Sequence, residues 1–217
     1  MGIAVMILGK SGAGKSTSLR NLDPQTYSVV EVNGKPLPFK TKKRTINTDV
    51  YANVSRVLQE APCDIVVVDD SQYLMANEYI RSATKQFTKD GAFEFYKKLG
   101  YNFWNMVNEV SALPENKIVY FLHHLEIDEY GNSKEKTIGK LLDDKICVAG
   151  MFSIVILAEK RGKDFVFDTQ NDGNSPAKTP IGMFPDRVIE NDLVLVDKAI
   201  RGFYDFPEPT KMEAKPE

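Results

Sequence analysis

Gly9-Lys10-Ser11-Gly12-Ala13-Gly14-Lys15-Ser16 is the stretch on which the reading of this chain turns. It satisfies the spacing G-x-x-x-x-G-K-[ST], and it lies between the apolar run Ile3 to Leu8 and a helical pattern ending near Pro24. Small residues in succession let backbone N–H groups turn inward around a phosphate. At that place Lys15 reaches the β and γ oxygens and assists catalysis, and the Ser16 hydroxyl is a Mg²⁺ ligand. The expected nucleotide contacts are Gly9, Ser11, Gly12, Ala13, Gly14, Lys15, Ser16 and Thr17, with ATP as ligand and Mg²⁺ as cofactor.

Outward from this loop, five apolar runs of strand length recur: Ile3 to Leu8, Tyr27 to Val32, Ile65 to Val68, Ile118 to Leu122 and Phe152 to Ala158. Such continuous apolar character marks strands buried on both faces. Helical patterns lie between them, one after Thr48 as cap and another through Leu99, Phe103, Met106 and Val110, ended by Pro114. Strand and helix in alternation predict an α/β fold, a mostly parallel sheet with helices on both faces. Arg161-Gly162-Lys163 reads as the turn of a C-terminal antiparallel hairpin, and a last helix is expected around Asp192 to Tyr204. One domain over residues 1–206 is expected, with a mobile charged tail over 207–217.

The run Ile65-Val66-Val67-Val68 ends in Asp69-Asp70, which places two carboxylates at the C-terminal edge of a strand, where open α/β sheets bind ligands. Asp69 is expected to hold the metal's hydration shell, and Asp70 is a candidate to polarise the attacking water. If the strand Ile118 to Leu122 lies between those carrying Lys15 and Asp69, its tip points at the γ-phosphate. That tip carries His123 and His124, whose side chains point to opposite faces; His124 is the preferred γ-phosphate contact.

Seven stretches together resemble a known group: GKSGAGKSTSLRNL, NGKPLPF, VVVDDSQ, HHLE, TIGKLLDDK, FDTQNDGNSPAKTP and NDLVLVDKAI. The chain resembles, over about residues 3 to 206, the phage-encoded RecA-like AAA-domain P-loop ATPases that include single-strand annealing recombination proteins. The resemblance implies ATP hydrolysis, action on single-stranded DNA in recombination or annealing, and partnership with a single-strand binding protein. It carries Lys15, Ser16, Asp69 and His124 into nucleotide roles. RecA proteins place a catalytic glutamate after the second strand, where this chain has Glu31; the base is therefore Asp70 or Glu31.

The formal net charge is -2, so no global field draws the chain to a polyanion, and DNA has to meet a local patch. Lys35, Lys40, Lys42, Lys43 and Arg44 form the clearest one, and Lys40, Lys42, Lys43 and Arg44 are the expected DNA-binding residues. The segment from Arg81 to Lys98 interleaves lysines with aromatic residues, a mixture suited to stacking unpaired bases. After His124, six acids stand against four lysines from Leu125 to Lys145, which confines any DNA contact there to Lys134 to Lys140. RecA-like sites are completed across a subunit interface, so a homo-oligomer is expected, with Lys178 as the cation given to a neighbour's γ-phosphate. Arg161 and Lys163 are its runners-up. Two other readings stand beside the DNA-acting ATPase: a small-molecule phosphotransferase, and a nucleotide-gated loader or motor subunit without direct DNA contact.

Cys63 and Cys147 stand apart with no zinc spacing, and no secretory or transmembrane segment is read. Met6 occupies the position where a myristoylation signal needs Ser or Thr. No membrane partner is expected, and the compartment is the reducing cytoplasm, of the host cell if the chain is phage-encoded.

Overall fold

Strand β1 (Ile3–Gly9) forms the centre of a sheet whose order across the molecule is β3, β2, β4, β5, β1, β7, β8, β9. The computed structural model describes residues 1–82, 89–138, 147–171 and 173–212. The other strands are β2 (Tyr27–Glu31), β3 (Ile46–Asn47), β4 (Ile65–Asp69), β5 (Ile118–Ile127), β6 (Ser133–Glu135), β7 (Ile154–Arg161), β8 (Asp164–Asp168) and β9 (Val188–Glu190). From β3 through β7 every neighbouring pair is parallel, while β7, β8 and β9 pair antiparallel through the turn at Gly162. The expected α/β class, mostly parallel sheet and C-terminal hairpin are thus observed. Strand β5 does lie between β1 and β4, with Ile118 paired to both Ile3 and Ile65.

Two buried clusters lie on the two faces, divided by strand alternation. Met6, Leu8, Val66, Val68 and Phe121 point to one face, packing with α1 (Tyr51–Glu60), α2 (Tyr73–Ser82) and α3 (Lys89–Glu109). Val5, Ile7, Val67, Tyr120 and Leu122 point to the other, packing with α4 (Leu193–Phe203) and the short turn after the glycine-rich loop. Both faces are dry, which is why the strands read as unbroken apolar runs.

Several local expectations are corrected. The element after the glycine-rich loop is a 3-10 turn, Ser16–Asn21, rather than a full helix. Val50 rather than Thr48 occupies the cap of α1, and the Thr48 hydroxyl accepts from Val50 N at 3.3 Å in a turn before it. Strand β5 runs five residues beyond the expected Leu122. Within the expected tail, residues 207–212 are tied back: Thr210 N donates to Asp64 Oδ2 at 2.7 Å and Met212 N to Gln25 O at 2.8 Å. Helix α2 had no counterpart in the sequence reading. Among the described residues, no helix is long and apolar enough to cross a membrane.

Candidate active site

At the end of β1 the chain turns through Gly12 and Gly14 at φ of 75° and 92° and enters the 3-10 turn. Gly14 has a double constraint. Its φ is left-handed, and a Cβ there would come within 2.8 Å of the Phe165 ring on β8. Lys15 is buried and folds back over its own loop, its Nζ donating to Gly9 O at 2.9 Å and Lys10 O at 3.1 Å. Burial pushes its ammonium down to about 8, against the pull of Asp70 and Asp69. Ser11, Gly12, Gly14, Lys15, Ser16 and Thr17 border one side of a cleft of about 240 Å³. Gly9 lies beneath the Lys15 ammonium, and Ala13 is buried in the second core cluster.

The opposite wall is acidic. Parallel register sets Glu31 of β2 directly beside Asp69 of β4, both buried at the C-terminal edge of the sheet. Burial first, and then the neighbouring Asp69 charge, push the Glu31 carboxyl up to about 8, so at neutral pH Glu31 is the protonated partner and donates to Asp69. Asp69 is raised by burial too, and the Ser16 hydroxyl also donates to it. Asp70, one residue on, has φ of 58°, which turns its carboxylate away from Asp69 toward the cleft rim. There Oδ2 accepts from Asn33 Nδ2 and Lys35 Nζ, each at 2.9 Å, and Oδ1 lies 3.0 Å from His124 Nε2. Burial works against the Asp70 charge, but the bonds from His124, Lys35 and Asn33 outweigh it and hold the carboxyl well below the usual range.

Alternation along β5 separates the histidines. His124 faces the cleft, its ring edge-on to Tyr73 at 5.9 Å. His123 is fully buried on the other side, between Ser71 Oγ and Lys136 O at 2.9 Å each, and burial pushes its pKa down to about 4.

The structure thus brings Lys15, Ser16, Asp69, Asp70 and His124 around one cleft, together with Glu31. Lys178 is elsewhere. Its backbone makes a two-way bridge to Val155, 2.8 Å in each direction, at the register of Met6 on β1, so it is not in its own chain's cleft. Strand pairing, rather than the flanking prolines alone, fixes its backbone. Arg161 pairs with Glu159 and Asp168. In the loop between β2 and β3, Lys40, Lys42 and Arg44 are exposed; Lys43 is half-buried, its Nζ donating to Pro24 O at 2.8 Å and lying over the Tyr27 ring. Of the aromatic and basic segment, Lys97 lies over Phe93 and Tyr79 stacks on Tyr96, while residues 83–88 lie outside the described residues. Lys134 pairs with Glu126 at 3.0 Å, and Lys140 lies outside the described residues.

Sequence reasoning missed two residues of this region, Asn33 and Asn191, and placed Lys35 only in the basic run; Asn33 and Lys35 reach Asp70 from the loop that follows β2. The Asn191 side chain is wholly buried beside Gly14, and neither amide atom has a hydrogen-bond partner. The NGKP stretch was visible, but its meeting with Asp70 depends on strand order.

Among the described residues, no group of three or more His, Cys, Asp or Glu side chains forms a metal cage. The donors present suit Mg²⁺, which takes one or two protein oxygens and completes its shell with water and phosphate. Ser16 and Asp69, hydrogen-bonded to each other, are oxygens that could fill that role, beside an open glycine loop where a Cβ on Gly12 would meet nothing within 4 Å. No curated protein matches the chain. The model of a family described as AAA domain matches residues 1–181, a span holding the glycine-rich loop, the Asp69 strand and the His124 strand. The chain therefore belongs to the AAA domain family of P-loop ATPases.

Proposed function

We propose that the protein is a Mg²⁺-dependent ATPase acting on single-stranded DNA, with Glu31 as the base that activates water. The observation that carries the catalytic part is the in-register pairing of Glu31 with Asp69 across the cleft from Lys15. Asp70 has its oxygens engaged by Asn33, Lys35 and His124, and serves to position them. Glu31 has only a proton to lose, and the Lys35 charge in the same cleft favours losing it.

In this reading Lys15 leaves the Gly9 and Lys10 carbonyls for the β and γ phosphate oxygens. Ser16 and Asp69 would hold Mg²⁺, whose charge would offset that of the phosphates. Glu31, once its own proton has left to solvent, takes a proton from water as the water oxygen bonds to the γ phosphorus, and the bond from that phosphorus to the β–γ bridging oxygen breaks, releasing ADP and phosphate. His124, fixed by Asp70, sets its ring at the border of the γ-phosphate position.

The exposed Lys40, Lys42 and Arg44 support the DNA part, in a loop whose Pro36 and Pro38 border the cleft. A role in phage-type recombination or annealing and a single-strand binding partner rest on the family resemblance, and assembly of copies with Lys178 acting across an interface rests on the need for a second cation and on the prolines that flank Lys178. Phosphate release with and without single-stranded DNA, duplex DNA and nucleosides tests the reading. Hydrolysis stimulated by single strands is expected; phosphorylation of a nucleoside without phosphate release would make the protein a phosphotransferase.

A further inference from the structure

Hydrolysis builds charge on the γ-phosphate oxygens, and a second cation besides the P-loop lysine stabilises it. Lys178 lies off its own chain's cleft, but Lys35 borders it with Lys15, Asp70 and His124. We infer that Lys35 is the cation that meets the γ-phosphate from within the same chain, leaving Asp70 when the nucleotide enters. This rests on the ATPase reading above.

Four observations carry it. Lys35 Nζ is 2.9 Å from Asp70 Oδ2, so a carboxylate now holds it at the rim of the cleft. Its side chain is 61% exposed, and besides Asp70 its Nζ lies over the Tyr73 ring at 5.5 Å, so two surface contacts rather than burial hold it at the rim. Its loop is constrained: Gly34, at φ of 64°, turns the chain so that Asn33 and Lys35 both reach Asp70, and Pro36 follows directly. Lys35 and Lys15 also line the same cleft of about 240 Å³, so one ligand there can meet both cations. Asp70 does not lose all its partners in the exchange, because Asn33 and His124 remain. A carboxylate that already accepts a cation at the rim is replaced by a phosphate oxygen deeper in the same cleft, whose charge offsets the cost of desolvating the ammonium.

The test uses the full chain and the variants Lys35→Met and Lys35→Arg. Calorimetry with ADP and with a non-hydrolysable ATP analogue, each with Mg²⁺, reads binding apart from turnover. The expected result is that Lys35→Met binds ADP as the parent does, binds the ATP analogue about 10-fold more weakly, and hydrolyses ATP at least about 10²-fold more slowly, with Lys35→Arg recovering part of both. Equal analogue affinity and turnover in Lys35→Met would overturn the inference while leaving the ATPase reading intact. A parent protein that binds neither nucleotide would instead overturn that reading. Mixing Lys35→Met with Lys15→Ala separates the two arrangements of the cation. If Lys35 acts in its own chain, each variant's own cleft stays defective, so mixing restores nothing. Recovery on mixing would assign Lys35 to a neighbour's site and overturn the inference.

Discussion

Glu31 donates its carboxyl proton to Asp69 across two adjacent parallel strands, so the ligand-free cleft holds one proton between two buried acids. An ordinary glutamate titrates near 4.5, whereas this one is pushed up to about 8. Because the folded value lies above the unfolded one, Glu31 favours the folded state fully below about 4.5, and that contribution is lost as pH rises through about 8. His123, lowered to about 4, acts in the opposite sense only below its ordinary 6.5. Lys15, lowered to about 8, acts above that value. Between about pH 6.5 and 8, thermal stability of the ligand-free protein should therefore fall with rising pH, and Glu31→Gln should flatten the fall. Tm measured in half-unit steps checks this. The same variant should hydrolyse ATP at least about 10²-fold more slowly while still binding it; unchanged turnover would remove Glu31 as the base.

Lys15→Ala removes the cation that faces the phosphates and should lower turnover by several orders of magnitude. Its two present partners are carbonyls of its own loop, one of them only partly buried, so the variant should keep a cooperative melt and an unchanged far-ultraviolet dichroism spectrum. Normal turnover would displace the phosphates from this loop.

Gly14→Ala confronts two obstacles, a φ of 92° and the Phe165 ring 2.8 Å away. A loss of about 1–3 kcal/mol is expected, read by urea unfolding. Adding Phe165→Ala should remove the steric share of the Gly14→Ala effect and leave the backbone share, which a double-mutant cycle separates.

Neutralising Lys40, Lys42 and Arg44 together should flatten the salt dependence of single-strand binding by about 0.7 in log–log slope per contact, roughly 2 in all. Lys43→Ala alone should change it little, since its ammonium is already held by Pro24 O and the Tyr27 ring. An unchanged slope in the triple variant would send DNA to another surface.

The parts of this molecule that could be read in the sequence are those set by short-range pattern. Both sheet faces are buried, so each central strand shows as an apolar run, and the parity of neighbouring positions was enough to separate His123 from His124. Helix α2 escaped because only Leu74, Met75 and Ser82 are buried among Tyr73–Ser82, too few to mark a helical face. The Glu31–Asp69 pair was half legible. Glu31 was a candidate from position, but its proton comes from burial and from a register between strands that are remote in sequence. The engagement of Lys35 and Asn33 with Asp70 depends on φ at Asp70 and on a loop crossing the rim, neither of which a one-dimensional pattern carries.

Strand β5 stays extended for its whole ten residues, from the central sheet at Ile118, past the cleft at His124, to the pairing of Leu125–Ile127 with β6. Lys136 is bound to both histidines' residues, its N donating to His124 O at 2.8 Å and its O lying 2.9 Å from His123 Nε2. With no glycine or proline in that strand and cross-links on either side, the cleft and the β5–β6 projection behave as one stiff beam with no hinge between them. A displacement of the strand at His124 should therefore be passed on to Leu125–Ile127 and to the β6 residues paired with them.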